Sequence, residues 1–274
     1  MNKLVSRRAA LTAAAVLGLT GGALLLSSRV RDPLHRARAM GLAQDVVVGF
    51  GDPSTFYASP FLPVDAKIAG VEASAVQAPA LGPALDGIEA ALSRYPSAFV
   101  GLLIKAIFVA GSIRIEGALA GGTYGPAWII LAAPIDIGAA SIELTCRIGV
   151  HHELSSFVYL RGQTVQRWQE SEPKTWSFAG SAARQLAGDR APAPPVETGF
   201  LSAYGATSPE NDFNVYAEKM MTEMGTVMRL AAIAPLVARK AALVRQAYLA
   251  IDPRMDRAFS ELGMAAALLP PVPA

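Results

Sequence analysis

The stretch of sequence that decides the fold is Val150-His151-His152-Glu153-Leu154-Ser155-Ser156-Phe157-Val158. Two of the three histidines of the chain lie side by side in it, and a carboxylate follows them directly. A helix from about Ser141 to Leu160 is predicted from apolar residues at helical spacing, namely Leu144, Ile148, Leu154 and Val158. On this helix His151 falls on the apolar side, as a hydrogen-bonded core histidine would, whereas His152 projects about 100° away. A functional site would therefore have to lie on the face of His152.

His152 and Glu153 match the first half of the helical motif His-Glu-x-x-His. In this motif the two histidines bind zinc and the glutamate activates a water molecule. The second histidine is missing, because the residue four positions after His152 is Ser156. A hydroxyl is a poor substitute, since the usual zinc ligands are Cys, His, Asp and Glu. Ser155 and Ser156 are not set in a Gly-x-Ser-x-Gly sequence, so a serine nucleophile is not favoured.

Short strands are predicted just before this helix. Alternating residues predict one strand in Ala106–Gly117, Gly121–Pro126 is typical of a turn, and a second strand follows at Trp128–Leu131. An amphipathic helix is expected before them, from Leu85 to Tyr95, and a long one after them, at Thr226–Ala250. The expected class is α+β, with a small sheet packed against the His-rich helix and a helical C-terminal half.

Length and composition predict one medium domain. The chain has 274 residues, of which 52% are hydrophobic and 17% charged. We expect the main domain at 84–264, after an irregular lead-in at 32–83, with a disordered tail at 265–274. The formal net charge of +2 comes from scattered basic residues, which does not favour a nucleic-acid partner. The single cysteine, Cys146, rules out an internal disulfide and is expected to be a small buried residue.

Residues 1–31 form a segment of their own, with a pattern typical of targeting. Ser6-Arg7-Arg8 resembles a twin-arginine export signal. The apolar run from Ala9 to about Ser28 has roughly the length that spans a bilayer, and it is long for a cleaved signal. Two alternatives follow: export to the periplasm, and an uncleaved anchor in the inner membrane. A membrane-anchored structural protein and a buried N-terminal helix are the remaining readings of this segment.

A second motif lies downstream, at Tyr204 and the stretch Ser208-Pro209-Glu210-Asn211-Asp212-Phe213. Ser208 is expected to cap a helix, with Pro209 at its first position. Glu210 and Asp212 suit the positive end of a helix dipole, which by itself explains two carboxylates there. Tyr204 follows a Phe-Leu run and is equally compatible with packing.

The order of these motifs resembles that of the single-domain zinc metallopeptidases related to the catalytic domain of anthrax lethal factor. In that family the active-site helix carries His-Glu-x-x-His, and a downstream tyrosine precedes an acidic helix start that supplies the third zinc ligand. The resemblance covers roughly Leu85 to Tyr248. It implies that His152 is a zinc ligand, that Glu153 is the general base, and that Tyr204 stabilises the oxyanion.

Two ligand positions depart from the family pattern. Ser156 stands in place of the second histidine, and Asn211 in place of the third-ligand glutamate. The neighbouring carboxylates are the candidate replacements, so the expected zinc ligands are His152 and a carboxylate from Glu210 or Asp212. Zinc catalysis normally needs three protein ligands and an open position for water. Two functions stay open: a zinc-dependent hydrolase of peptide bonds, and an inactive protein on the same scaffold that binds a peptide or envelope partner.

Overall fold

A computed structural model describes residues 32–58, 62–174, 176, 178, 194–264 and 270. The predicted export or anchor segment at 1–31 lies outside these residues, as does most of the predicted tail at 265–274. Along the described ranges, no helix is long and apolar enough to cross a membrane.

Seven short strands of the described chain form two sheets. In chain order they are β1 (Val47–Phe50), β2 (Val71–Ala73), β3 (Ala106–Ala110), β4 (Ile113–Ile115), β5 (Ala118–Ala120), β6 (Gly122–Gly125) and β7 (Trp128–Ala132). The main sheet has the order β1-β3-β7-β6, in which β1, β3 and β7 are parallel and β6 is antiparallel to β7. The second sheet is antiparallel, in the order β2-β4-β5.

Helices make up most of the remaining described structure. They are α1 (Pro33–Gln44), α2 (Ala78–Leu92), α3 (Ala139–Tyr159), α4 (Thr164–Glu170), α5 (Pro209–Thr222), α6 (Met224–Ala231), α7 (Pro235–Ile251) and α8 (Met255–Glu261). The main sheet packs against α3, and the chain after α3 is helical. The α+β class predicted from the sequence is confirmed.

The centre of the main sheet, β3 and β7, is buried on both faces. Both strands are continuous apolar runs, which is typical of parallel strands covered on two sides. Ile107 and Leu131 face the larger core, which contains α2 and α3. Phe108 belongs to a smaller core on the opposite face, where its ring stacks on that of Phe56 with the centroids 4.5 Å apart.

The segment 32–83, expected to be an irregular lead-in, is an integral part of the fold. It contains α1, and β1 pairs with β3 in the register Val47 to Ala106. The sequence predicts a short helical piece near Leu34–Leu42, which is α1, whereas β1 was missed because it has only 4 residues, too few for a period to be recognised. The helix expected from Leu85 begins earlier, at Ala78, since Pro79 is tolerated in its first turn.

Three other elements differ from the prediction. The stretch 106–117 forms two strands in different sheets, and the chain turns between them at Gly111, where an added Cβ would lie 2.5 Å from a backbone oxygen. The predicted turn at 121–126 is largely β6, an edge strand of the main sheet. The single helix predicted at 226–250 is divided into α6 and α7, because Pro235 can begin a helix but cannot continue one.

Over the second half of α3, the side of the helix that faces the core is the one predicted from the sequence. Leu154 and Val158 are fully buried, whereas Leu144 is 45% exposed. In the first half of the helix, the residues that face the core are Ile142 and Cys146 instead. The expectation that Cys146 is a small buried residue is confirmed, and its thiol is free.

Helix α2 holds α3 in position through two contacts. At Gly87 the backbones approach so closely that an added Cβ would lie 2.2 Å from the carbonyl oxygen of Glu143. Beyond the end of α2, the Tyr95 hydroxyl lies 2.8 Å from Nδ1 of His151. Burial lowers the pKa of His151 to about 3, so the ring is neutral and shares a hydrogen bond with the tyrosine hydroxyl. His151 is the hydrogen-bonded core histidine that the sequence predicts.

Candidate functional site

A cavity of about 720 Å³ lies between α3, α5 and the edge formed by β5 and β6. Its volume is within the range of small-ligand sites. Four of the predicted site residues line it together, namely His152, Glu153, Tyr204 and Glu210. The cavity is therefore the candidate functional site.

His152 is held by a carboxylate that the sequence motifs did not indicate. Its Nδ1 lies 2.7 Å from Oε2 of Glu218, which α5 places on the opposite wall. Burial disfavours the imidazolium, but the hydrogen bond to Glu218 and the nearby Glu153 and Glu210 outweigh that effect and raise the pKa of His152. No sequence pattern could have identified Glu218, because its role depends on how α5 packs against α3.

Glu153 is the most unusual group of the cavity. It is only 9% exposed, and none of the described residues donates a hydrogen bond to its carboxylate. The carboxylate lies against β6 at Gly122, where an added Cβ would be 2.7 Å from Oε1. Burial raises the pKa of Glu153 to about 7; His152 opposes the shift, and the charges of Glu210 and Glu218 add to it. A carboxyl group with this pKa can exchange a proton near neutral pH.

This pKa predicts how stability depends on pH. The folded protein holds a proton on Glu153 up to about pH 7, whereas the unfolded chain releases it near pH 4.5. The folded state therefore binds more protons between these values, and the free energy of unfolding falls as the pH rises through them. Glu153→Gln removes this loss, so above pH 7 the variant should be more stable than wild type by ~3 kcal/mol. Urea unfolding from pH 4 to 8 measures the difference in free energy of unfolding. If this free energy depends on pH in the same way for both proteins, the raised pKa of Glu153 is refuted.

Two tyrosines complete the cavity wall. The Tyr204 ring lies beside His152, with the ring centroids 5.5 Å apart. The Tyr124 hydroxyl donates a hydrogen bond to Oε1 of Glu210 at 2.7 Å. Burial raises the pKa of both hydroxyls, which therefore stay neutral donors. Tyr204, predicted as the oxyanion-stabilising residue, thus lies beside His152, whereas the pairing of Tyr124 with Glu210 was not predicted.

Asp212, one of the predicted zinc ligands, faces away from the cavity. Its Oδ2 lies 2.6 Å from Nζ of Lys240, and both side chains are fully buried. Glu210 and Asp212 are two positions apart on a helix, which separates their directions by about 200°. Only one of them can therefore face the cavity, and the packing of α5 selects Glu210.

Hydrogen bonds within the protein occupy the altered ligand positions. The Asn214 amide donates to Oγ of Ser156 at 2.8 Å, and the Ser155 hydroxyl lies 2.7 Å from Oδ1 of the same asparagine. Asn211 donates from its amide to Oγ1 of Thr207 at 2.7 Å. Asn214 was not singled out in the sequence, although it explains why two consecutive serines stand on α3.

The side chains at the predicted ligand positions do not form a zinc site of the usual kind. Asp212 is bonded to Lys240, and Ser156 is bonded to Asn214. Within the part of the chain that the structure describes, no group of three or more His, Cys, Asp or Glu side chains is arranged to hold a metal ion. Of the two candidate carboxylates, only Glu210 lines the cavity with His152, and these two residues fall short of the three ligands that zinc normally needs.

Comparisons with known proteins give no relative: no family model, no curated protein and no solved structure matches the chain. The likeness to lethal-factor-type peptidases stays an interpretation of the motifs. Function has to be inferred from the chemistry of the cavity.

Proposed function

We propose that this protein binds a peptide segment of a partner protein in the cavity, on a peptidase-like scaffold and without zinc-dependent hydrolysis. The partner would lie in the cell envelope, where the N-terminal sequence pattern predicts the protein to be. One observation carries the proposal: the amide of Asn214 joins Ser155 and Ser156 where a working site would need a second ligand. These hydrogen bonds tie Ser155 and Ser156 of α3 to Asn214 of α5, so the second-ligand position serves the packing of the two helices and not the binding of a metal ion.

An extended peptide fits the wall of the cavity. Strand β6 has a single neighbour, β7, among the described strands, and Gly122, Thr123 and Tyr124 from it line the cavity. A strand edge of this kind can pair with an added strand through its backbone groups. Gly121 and Gly122 carry no side chain that would keep a second backbone away. The edge would give affinity, and the cavity would select one side chain of the peptide.

Filling the cavity should abolish binding. Thr145 lines it from α3 and is half-buried, so Thr145→Trp places an indole in the space. Arg239→Trp, on an exposed position of α7, adds the same side chain elsewhere. Peptides selected from a displayed library on the purified protein should bind wild type and Arg239→Trp equally. They should lose at least about tenfold in affinity for Thr145→Trp, a change that titration calorimetry resolves.

Two results would contradict the proposal. Selected peptides that bind Thr145→Trp as tightly as wild type would place the binding surface outside the cavity. Stoichiometric zinc that disappears in His152→Ala, with peptide cleavage that disappears in Glu153→Gln, would identify a hydrolase with an unusual metal site. The metal content of the purified protein is therefore measured on the same samples.

A further inference from the structure

We propose that the cavity binds a cationic group, an ammonium or a guanidinium, with the Glu153 carboxylate as its counter-ion. The inference rests on the proposed function and gives the bound peptide its chemistry, a Lys or Arg side chain. It concerns a ligand of the site and requires no metal.

Glu153 accepts no hydrogen bond from the part of the chain that the structure describes. The side chain is more than nine-tenths buried and lines the cavity, yet none of the described residues donates a hydrogen bond to it. Burial of a carboxylate without a donor is costly, and charged donors are its strongest partners. Gly122 allows the carboxylate to lie directly against β6, next to the strand edge on which a peptide would pair. The missing donor is therefore expected from the ligand.

The charges around Glu153 favour the same ligand. The carboxylates lining the cavity are Glu116, Glu153, Glu210 and Glu218. The described lining holds two side chains that can be cationic, His152 and Lys219, and both have partners. His152 binds Glu218, and Nζ of Lys219 lies 3.4 Å from Glu223, which is outside the cavity lining. The cavity thus has an excess of negative charge that its own residues do not neutralise.

An organic cation suits these groups better than a metal ion. The carboxylates are not arranged as a cluster of three around one point in the described chain. A guanidinium or ammonium needs only one or two carboxylates and is also attracted to the faces of aromatic rings. Tyr124 and Tyr204 both line the cavity and supply such rings. Residues from β6, α3, α5 and the loop before α5 would enclose the cationic head.

The test compares two peptides that differ in charge alone. N-acetyl-Ala-Arg-Ala-amide and its citrulline counterpart are titrated into the purified full chain at pH 8 by calorimetry. The arginine peptide is expected to bind at least about tenfold more tightly, and Glu153→Gln should remove the difference. Glu72→Gln, at an exposed position of β2, should retain it. Gly122→Ala keeps the charge but displaces the carboxylate, so it should weaken binding of the arginine peptide as well.

A third probe, n-butylguanidinium, distinguishes a peptide side chain from a free organic cation. If the arginine tripeptide binds more tightly than n-butylguanidinium, the ligand is a peptide side chain. If the two bind equally, the ligand is a free cation. Equal affinity of the arginine and citrulline peptides for wild type, or unchanged binding by Glu153→Gln, would overturn the inference. Library peptides that contain no Lys or Arg but still lose affinity for Thr145→Trp would also overturn the inference. They would leave the proposed peptide binding in place.

Discussion

Lys240→Met should lower the free energy of unfolding by about 3–5 kcal/mol, a large part of the stability of an ordinary domain. Lys240 is fully buried in α7, and its Nζ lies 2.6 Å from Oδ2 of Asp212 and 2.8 Å from Oε2 of Glu172. Methionine has a similar apolar stem, so the substitution removes the charge and retains most of the packing. The loss arises because two buried carboxyl groups are left without their cation.

The charge balance at this site explains the size of the effect. Burial raises the pKa of Asp212 well above its ordinary value; Lys240 opposes the shift, and the neighbouring Glu172 adds to it. One ammonium therefore serves two acidic groups, with the Phe200 ring 4.4 Å from Nζ on another side. Removal of the ammonium leaves Asp212 and Glu172 with the hydrogen bond between them and without their cationic donor.

A matched variant separates lost charge from lost packing. Lys240→Met combined with Asp212→Asn and Glu172→Gln removes all three ionisable groups, and it should recover most of the lost stability. Chemical denaturation of the wild type, single and triple variants gives the three free energies. A single variant within about 1 kcal/mol of wild type would show that Lys240 contributes no net stabilisation. A triple variant no more stable than the single one would assign the loss to packing.

The same ion pair determines which residues of α5 reach the cavity. Asp212 is anchored to α7 through Lys240, and this fixes the rotation of α5 about its axis. Glu210 and Glu218 then face α3, where they meet Tyr124 and His152. The sequence made Glu210 and Asp212 alternative metal ligands, because they flank Asn211 at the position of the third ligand. Local sequence does not show that a lysine 28 residues further on takes one of them.

Elements with a strong local signal were predicted well. The core strand at Trp128–Leu131 and the start of α5 at Pro209 are confirmed, and the Ser208 hydroxyl accepts from the amide of Asn211 as a helix cap does. Both depend on neighbours in sequence. The role of β6 could not be predicted in the same way. A Gly-Gly-Thr-Tyr-Gly run has the composition of a turn, and only its pairing with β7 makes it a strand.

Gly87→Ala is the second substitution with a large expected effect, because it acts on the closest contact between α2 and α3. An added Cβ would lie 2.2 Å from the carbonyl oxygen of Glu143 and 3.0 Å from the amide nitrogen of Arg147. Both atoms belong to the backbone, so no side-chain rotation relieves the clash and the two helices must separate. We expect a loss of about 1–3 kcal/mol, even though alanine is the better helix former. Thermal and urea unfolding measure it.

Gly225→Ala, in α6, provides the control. An added Cβ at Gly225 meets only the end of the Arg229 side chain, 3.7 Å away, so this variant should gain the helix-forming advantage of alanine, about 0.5–1 kcal/mol. Opposite signs for two identical substitutions within helices would establish that the contact with α3, and not helix propensity, decides the outcome. Separation of α3 from α2 would also move Glu153 relative to Gly122, so Gly87→Ala should weaken binding of the arginine tripeptide while Gly225→Ala leaves it unchanged. Equal stability of the two variants would show that the close approach at Gly87 is absent in solution.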